Sequence, residues 1–428
     1  DMIYISSFAE GGIMEFSIKY GKDLVSFHVD DSHHPAELYP MQCPAAESET
    51  EEVRDALAHP IGTEKLSDIV KPGEKVVIIT SDVTRPMPSG IVIPCVWEEL
   101  EKAGCRKEDV TIVFGLGSHR KQTEEEKRRL LGDKVYENFR CIESDPEDCI
   151  HLGTCPNGTS VDIFSEVVRA DRRILLGNVE YHYFAGYSGG MKALMPGVAS
   201  RASIQSNHKN MIRDGAYAGH LEGNPVREDM ERTYDLCPVD FIVNVVLDDH
   251  KKIAFAAAGD RIQAHRKACH FLDGIYKIKI GHPADVVIVS AGGYPKDISL
   301  YQAQKAIDNA KHAVREGGIM VVSASCKEGY GSDVFEKWIR NYETPDDRVK
   351  AIHEHFELGG HKSAALALVQ KKCSIYLVTD MEEEQVRKAN MTPFRNMQTA
   401  VDAALDKMGK DAEVYVIPLG GSTLPMLE

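Results

Sequence analysis

The chain has 428 residues, of which 43% are hydrophobic and 27% are charged, proportions typical of a globular protein with two or three domains. Its formal net charge of −16 repels phosphate backbones, which argues against nucleic acid as a partner, and no apolar run approaches the length of a membrane span. The ten cysteines are scattered without a Cys-x-x-Cys motif and the first residues lack a secretory signal pattern, so we expect free thiols and a cytoplasmic location.

The first stretch of the chain carries weak structural signals. Residues 1–13 are interpreted as a leader, because Met14 offers a natural start. The segments 16–20 and 24–29 alternate apolar and polar residues around Gly21, a pattern that predicts a β-hairpin.

From about residue 60 onward, strand and helix patterns alternate. Continuous apolar runs predict buried strands at 75–80, 110–114 and 173–176. The residues of a capping box, followed by an apolar stripe, predict a helix over 123–139.

Polar side chains follow each of these three strands directly. Asp82, Thr84 and Arg85 come after the first strand, His119 after the second and His182 after the third. In doubly wound sheets, ligands bind outside the carboxyl ends of the strands. The shared placement therefore favours a functional role for these side chains.

A glycine-rich stretch over 177–210 follows the third strand and includes Gly189, Gly190, Lys192 and His208. Glycines let the backbone approach a ligand closely, and histidine can serve as an acid, a base or a metal ligand. On these residues alone, a site for a charged small molecule and a structural loop with solvent-facing histidines remain equally consistent with the pattern.

A second alternating unit begins with a predicted strand at 284–290. A helix from about Ser299 follows and carries Tyr301, Gln302 and Lys305 near its N-terminus, an end that favours anions. The remaining predicted elements are a hairpin of 241–247 with 252–258, helices at 263–276, about 346–357, 361–371, 382–389 and 397–408, strands at 319–323, 374–379 and 413–418, and a loop at the C-terminal tail.

This alternation predicts an α/β protein of two domains. Each domain is expected to contain a mostly parallel, Rossmann-like sheet flanked by helices.

Three function classes compete for the strand-end residues. A dehydrogenase using NAD is disfavoured, because the third glycine of G-x-G-x-x-G falls on Arg120. A zinc hydrolase would use His119, His182 and His208, but the chain has no H-E-x-x-H motif. A carboxylate-binding protein needs only Arg85 and Lys305, and this class assigns no functional role to the strand-end histidines.

Five motifs in a fixed order, spanning roughly residues 70 to 310, resemble those of the nickel-pincer-nucleotide-dependent lactate racemase family of 2-hydroxyacid racemases and epimerases. They are Asp82-Val83-Thr84-Arg85-Pro86, Gly117-Ser118-His119-Arg120, His182-x-x-x-Gly186-Tyr187-Ser188-Gly189-Gly190-x-Lys192, Ser206-Asn207-His208 and Gly292-Gly293-Tyr294-Pro295-x-Asp297-x-x-x-Tyr301-Gln302-x-x-Lys305.

The resemblance implies a nickel-pincer nucleotide, nickel pyridinium-3,5-bisthiocarboxylic acid mononucleotide, tethered to Lys192 with His208 as the metal ligand. Separate enzymes make this cofactor, so protein produced without them is expected to be apo. Further cofactor contacts are implied for Asp82, Thr84, Gly189 and Gly190.

The resemblance also implies racemisation by reversible hydride transfer through a 2-keto acid. His119 and His182 would act as the acid and base, one for each enantiomer, since an imidazole pKa of about 6.5 allows either role near neutrality. Lactate is the expected substrate, and another 2-hydroxy acid is the alternative. The implied substrate contacts are Arg85, Tyr301, Gln302 and Lys305.

The domain expectation combines the alternating pattern with the resemblance, which also implies an active site in the interdomain cleft. Residues 14–275 are predicted to form an N-terminal cofactor-binding and catalytic domain, and residues 276–428 a C-terminal α/β domain whose tail packs back on the first. The expected partners are the substrate and the cofactor-biosynthesis proteins, with neither nucleic acid nor membrane, and a homo-oligomer remains open.

Overall fold

A computed structural model describes residues 7–9, 12–85, 87–248 and 250–427. Most of the predicted leader, and Pro86 of the first motif, lie outside the described residues. No helix in the described part of the chain is both long enough and apolar enough to cross a membrane.

The strands in chain order are β1 (Ser7–Ala9), β2 (Ile13–Tyr20), β3 (Asp23–Asp30), β4 (Ala36–Glu37), β5 (Val76–Ser81), β6 (Val110–Gly115), β7 (Arg140–Glu143), β8 (Cys149–Thr154), β9 (Ser160–Phe164), β10 (Arg172–Asn178), β11 (Tyr181–His182), β12 (Gly186–Tyr187), β13 (Phe241–Leu247), β14 (Ile253–Gly259), β15 (Lys277–Ile280), β16 (Ala284–Ser290), β17 (Val314–Ser323), β18 (Ser374–Val378), β19 (Thr392–Phe394), β20 (Val414–Ile417) and β21 (Leu424–Leu427).

The α-helices are α1 (Glu49–Ala58), α2 (Leu66–Ile69), α3 (Ser89–Lys102), α4 (Glu124–Leu131), α5 (Asp133–Asn138), α6 (Ser165–Arg169), α7 (Arg201–His208), α8 (Pro225–Arg232), α9 (Gln263–Tyr276), α10 (Leu300–Ala310), α11 (Asp333–Asn341), α12 (Pro345–Glu354), α13 (Gly360–Lys372), α14 (Glu383–Lys388) and α15 (Met397–Met408).

The chain divides into two compact units, of which one comprises residues 42–275. Its main sheet has the order β14-β13-β10-β5-β6-β7, and only the β13–β14 pair is antiparallel. The apolar runs that predicted these strands are buried, because helices cover a parallel sheet and leave little of it in water. The three strands with polar ends, β10, β5 and β6, are neighbours.

The other unit comprises the described residues of 1–41 together with those of 276–428. Its six-stranded sheet, β19-β18-β17-β16-β20-β4, is parallel throughout. Residues of α10 and α13 contribute to the core on one face of this sheet. The predicted parallel α/β sheets are thus confirmed in both units.

The N-terminal hairpin of β2 and β3 covers the opposite face of that second sheet. Phe16 and Phe27 stack with ring centroids 5.5 Å apart and share a core with Val286, Ile319 and residues of α15. The hairpin itself was predicted, but its partner was not. The segment 14–41, which we assigned to the N-terminal domain, makes its contacts with strands of the C-terminal region.

Two local expectations were wrong. The predicted helix over 123–139 is two helices, because Gly132 adopts a φ of 74° and ends α4 before α5 begins. The capping box of Thr123 and Glu126 is present as predicted. The tail is not a loop throughout, since β21 pairs in parallel with β15, a strand about 150 residues earlier whose partnership leaves no local signal.

Candidate active site

The structure gathers the strand-end side chains of the 42–275 unit at one edge of its sheet. Because β10, β5 and β6 are parallel neighbours, their carboxyl ends lie side by side. Asp82, His119 and His182 therefore emerge at the same edge, as their positions in the sequence predicted.

His119 is held by the loop that follows β5. Its Nδ1 lies 2.7 Å from Oδ2 of Asp82, whose side chain is 2% exposed. Thr84 donates its hydroxyl to the other carboxylate oxygen at 2.6 Å, and its Oγ1 lies 3.1 Å from His119 Nδ1. A carboxylate only accepts hydrogen bonds, so Nδ1 carries the hydrogen and Nε2 carries the lone pair.

The Asp82 carboxylate is charged in this arrangement. Burial alone would raise its pKa, but the hydrogen bonds from His119 and Thr84 outweigh burial and lower the pKa below the usual value. The resemblance implied cofactor contacts for Asp82 and Thr84. The structure instead gives both a contact with His119 that the sequence analysis missed.

His182 lies on the short β11–β12 hairpin, which is anchored at both strands. Tyr181 and Tyr187 are paired across the hairpin, and their hydroxyls donate to the same oxygen of Asp273 at 2.9 and 2.6 Å. This anchor fixes the backbone on either side of His182. Asp273 is a missed residue, because it lies on α9, 92 positions from Tyr181.

An aromatic ring links His182 to His208. The Phe184 ring lies edge-on to the His182 ring at 4.5 Å between centroids, and to the His208 ring at 5.0 Å. His208 ends helix α7, and its ring is largely buried. The structure thus brings two predicted site histidines into contact with one phenylalanine ring.

Positive side chains surround His182. Burial, followed by the charges of Lys192, Arg85 and His208, holds the pKa of His182 well below its usual value. Burial also places the pKa of Lys192 well below the usual value, with further lowering by Arg85 and Arg227. These mutual effects place Arg85, His182, Lys192 and His208 in one neighbourhood, with His182 a neutral imidazole at neutral pH.

A fully buried arginine supports the loop that carries these residues. The Arg227 guanidinium donates to the backbone carbonyls of Ala185, Tyr187 and Gly189. Burial lowers its pKa, yet it stays charged because an arginine pKa starts far above neutrality. The sequence analysis did not identify Arg227, because nothing local indicates that its side chain points inward.

The predicted cofactor glycines have a packing role in the structure. Gly189 and Gly190 have φ values of +73° and +58°, which favour glycine. A Cβ at Gly189 would lie 2.7 Å from the Val179 side chain, and one at Gly190 would lie 2.9 Å from His265. Contact between these glycines and a cofactor stays a prediction.

The three candidates of the other unit lie in the first two turns of α10, as predicted. Lys362, a missed residue, donates to the backbone carbonyl of Tyr301 at 2.8 Å, and its Nζ sits 4.0 Å from the Tyr301 ring centroid. The buried Asp297 accepts backbone N–H bonds from Gly21 at 2.6 Å and Ser325 at 3.1 Å, which fixes the loop before the helix. Gln302 is exposed and Lys305 half-buried.

Two other features of the 42–275 unit lie apart from these residues. A cavity of about 650 Å³ is lined by residues within 212–214 and 223–232 together with Asn157, and none of the predicted site residues lines it. Within the part of the chain that the structure describes, no group of three or more His, Cys, Asp and Glu side chains is arranged to hold a metal ion.

Family comparisons match nearly the whole chain. Residues 20–219 match the family described as lactate racemase N-terminal domain, and residues 280–424 match the lactate racemase C-terminal domain. The chain is 33% identical over 423 residues to the lactate racemase of Thermoanaerobacterium thermosaccharolyticum, covering 95% of this chain and 98% of that protein. It is 28% identical over 425 residues to the lactate racemase of Lactiplantibacillus plantarum, covering 95% and 99%.

Solved structures give the same picture. The lactate racemase apoprotein from T. thermosaccharolyticum aligns with a TM-score of 0.86 at 33% identity, covering 96% of this chain and 99% of that one. A protein from Thermotoga maritima aligns with a TM-score of 0.63 at 19% identity, covering 91% and 100%, which is a likeness of fold alone.

Proposed function

Because the chain belongs to the lactate racemase family, we propose that it interconverts the D and L forms of a 2-hydroxy acid, with lactate as the substrate to test first. Such an enzyme is an isomerase of the racemase type. The observation that supports this reaction most is the placement of two imidazoles, His119 and His182, after the parallel strands β6 and β10, which lie on either side of β5.

Racemisation at C2 needs a proton acceptor for the hydroxyl group of each enantiomer. His119 suits one of these roles, because Asp82 and Thr84 keep its hydrogen on Nδ1 and leave the lone pair on Nε2. When Nε2 takes up a proton, the charged Asp82 stabilises the imidazolium.

His182 suits the second role by a different route. Burial, followed by nearby basic groups, keeps its imidazole neutral, and its Nδ1 accepts the backbone N–H of Ala185 at 3.3 Å, so that Nε2 carries the hydrogen. His182 would accept a substrate proton at Nδ1 once that hydrogen bond opens. The same positive surroundings stabilise a substrate that carries a carboxylate.

Arg85 is the proposed partner of that carboxylate. Its side chain is exposed beside the Asp82–His119 pair, and a guanidinium can bind two carboxylate oxygens at once. Tyr301, Gln302 and Lys305 are proposed as further substrate contacts, in line with their motif.

The residues present fit the cofactor that the family resemblance implies. Lys192 offers an amine whose lowered pKa favours the neutral, nucleophilic form needed for a covalent tether, and His208 offers an imidazole for nickel. When bound, the nickel-pincer nucleotide would supply the acceptor for the C2 hydrogen of the substrate together with its electron pair. Asp82, Thr84, Gly189 and Gly190 remain proposed neighbours of the cofactor.

The test uses protein co-expressed with the cofactor-making enzymes. With L-lactate alone and no added NAD, we expect chiral chromatography to show D-lactate appearing until the mixture is racemic. A requirement for added nicotinamide would favour a dehydrogenase, and binding without turnover would favour a carboxylate-binding protein. Either result contradicts the proposal.

Matched variants identify the histidines that matter. His119→Ala and His182→Ala should each lower kcat by about 10²- to 10⁴-fold, the usual contribution of a positioned acid or base. His151→Ala is the control, because His151 also lies 2.7 Å from a carboxylate, that of Asp162, but outside the proposed site. An equal loss in all three variants would argue against specific roles for His119 and His182.

A further inference from the structure

The side chain of Asn207 bridges His208 to a buried carboxylate. Its Oδ1 lies 3.1 Å from His208 Nδ1, while its Nδ2 donates to Oδ2 of Asp229 at 2.8 Å and to the backbone carbonyl of Val226 at 3.1 Å. Asn207 is 0% exposed and Asp229 is 1% exposed. The contacts therefore form a short relay, Asp229–Asn207–His208, of direct side-chain hydrogen bonds.

The hydrogen-bond partners fix which way the amide points. The Val226 carbonyl can only accept a hydrogen bond, so the NH₂ group of Asn207 must face it. Rotating the amide by 180° would place an oxygen against the Val226 carbonyl and the Asp229 carboxylate. The oxygen of Asn207 thus faces the imidazole of His208.

This orientation determines the tautomer of the histidine. An amide oxygen has no hydrogen to donate, so Nδ1 of neutral His208 must carry the hydrogen and Nε2 must carry the lone pair. Histidine ligands of metals commonly have the second ring nitrogen fixed by a partner of this kind.

The relay joins two separate helices. Asn207 and His208 end α7, whereas Asp229 lies in α8, whose start is set by the Asn224 cap and Pro225. The imidazole is thereby fixed relative to a second element, and not only by its own helix. No local sequence pattern marks Asp229 for this contact.

The geometry points to Asn207 as a positioning residue, held by Asp229, that sets the tautomer of His208 so that Nε2 is presented to a metal ion. The metal-binding part rests on the proposed function, whereas the tautomer is a property of the chain itself. Because Asn207 is fully buried, we assign it no contact with substrate, and it acts only through His208.

The first measurement is the tautomer of His208 in cofactor-free protein at pH 8. Protein labelled with ¹⁵N at histidine is observed by NMR, and the His208 signals are assigned by their loss in His208→Gln. We expect hydrogen on Nδ1 in the native chain and a loss of that preference in Asn207→Leu, which cannot accept a hydrogen bond. Hydrogen on Nε2 in the native chain overturns the proposal without any variant.

Two further variants distinguish the loss of a hydrogen-bond acceptor beside His208 from a change in side-chain packing. Asn210→Leu is the matched control, because Asn210 is also buried near the end of α7 but its Nδ2 donates to backbone carbonyls. It should keep the native tautomer. The double variant Asn207→Asp with Asp229→Asn restores an acceptor beside His208 and should also keep it. The proposal is contradicted if His208 keeps its hydrogen on Nδ1 in Asn207→Leu. It is also contradicted if the double variant no longer has the hydrogen on Nδ1.

The second measurement is nickel retention in protein co-expressed with the cofactor-making enzymes. Asn207→Leu should lose nickel about 10- to 100-fold faster than native protein and Asn210→Leu, as followed by elemental mass spectrometry after gel filtration. Equal rates would overturn the role in metal positioning. Native protein with the expected tautomer but no racemisation would count against the proposed function alone.

Discussion

At the scale of single residues, the two candidate histidines lie in opposite electrostatic surroundings. His119 is partly exposed, and its hydrogen bond to the negatively charged Asp82 carboxylate orients its ring. Burial, and after it nearby basic groups such as Arg85, disfavour the protonated form of His182 and lower its pKa. Burial and nearby basic groups also lower the pKa of Lys192, and this lowering should affect the stability of the folded protein.

Lys192→Met is expected to stabilise cofactor-free protein at pH 7. Burial, Arg85 and Arg227 lower the folded-state pKa of Lys192 from the usual 10.5, so the unfolded chain binds more protons in the pH range between the two values. Lys192 therefore lowers the free energy of unfolding at neutral pH, and this effect becomes smaller as the pH rises towards 10.5. Thermal unfolding should show a higher midpoint for the variant at pH 7 and a smaller difference at pH 9.5.

The exposed Lys209→Met serves as the control for the change of side chain, and it should show no such pH-dependent difference. A Lys192→Met variant that is less stable than native protein at pH 7 would contradict the account. A stability difference that grows with pH would contradict it equally, because the sign of the proton linkage would then be reversed.

At the scale of elements, local patterns predicted strands and helices well and their interruptions poorly. The apolar runs of β5, β6 and β10 identified the central strands, since β-branched residues suit a buried sheet. The capping box marked the start of α4, but its end depended on the φ of Gly132. Helix α3 was not predicted, because Pro94 and Gly90 interrupt its pattern although both are accommodated.

The β11–β12 hairpin provides a test at this scale. Tyr187→Phe removes one of two hydroxyl donors to Asp273 and should lower the free energy of unfolding by about 1 kcal/mol, the typical net value of one hydrogen bond. Since this contact fixes the backbone beside His182, kcat for racemisation should also fall. Urea denaturation and initial rates measure the two effects.

Tyr136→Phe is the control, because Tyr136 keeps its aromatic ring against Arg128 in a different part of the same unit. It should leave kcat unchanged. If Tyr187→Phe lowers stability but kcat stays native, the anchor does not position His182.

At the scale of the whole molecule, the sequence predicted which residues form the candidate site better than what holds them in place. Parallel strands bring their carboxyl ends to one edge, so Asp82, His119 and His182 could be grouped from strand order alone. Their supports could not be predicted in this way. Asn207 and Asp229 are 22 positions apart and Tyr181 and Asp273 are 92 apart, and such pairs have no local periodicity.

The packing of the N-terminal hairpin on the sheet of the unit that contains residues 276–428 is a second long-range property that the sequence did not reveal. Phe27 is 1% exposed and lies in the core that β3 shares with strands β16 and β17. Phe27→Ala should therefore destabilise the unit containing residues 284–290 and 314–323 by about 3–5 kcal/mol, the usual cost of emptying a phenylalanine site. Amide hydrogen exchange in those two strands should increase.

The sheet of residues 42–275 is expected to keep its protection against exchange in Phe27→Ala, because Phe27 is not part of its core. His28→Ala is the matched control, since His28 is the next residue of β3 and its side chain is exposed. It should leave exchange in both sheets unchanged. Faster exchange in β5 and β6 before β16 and β17 would show that the hairpin stabilises the other unit, against the packing described above.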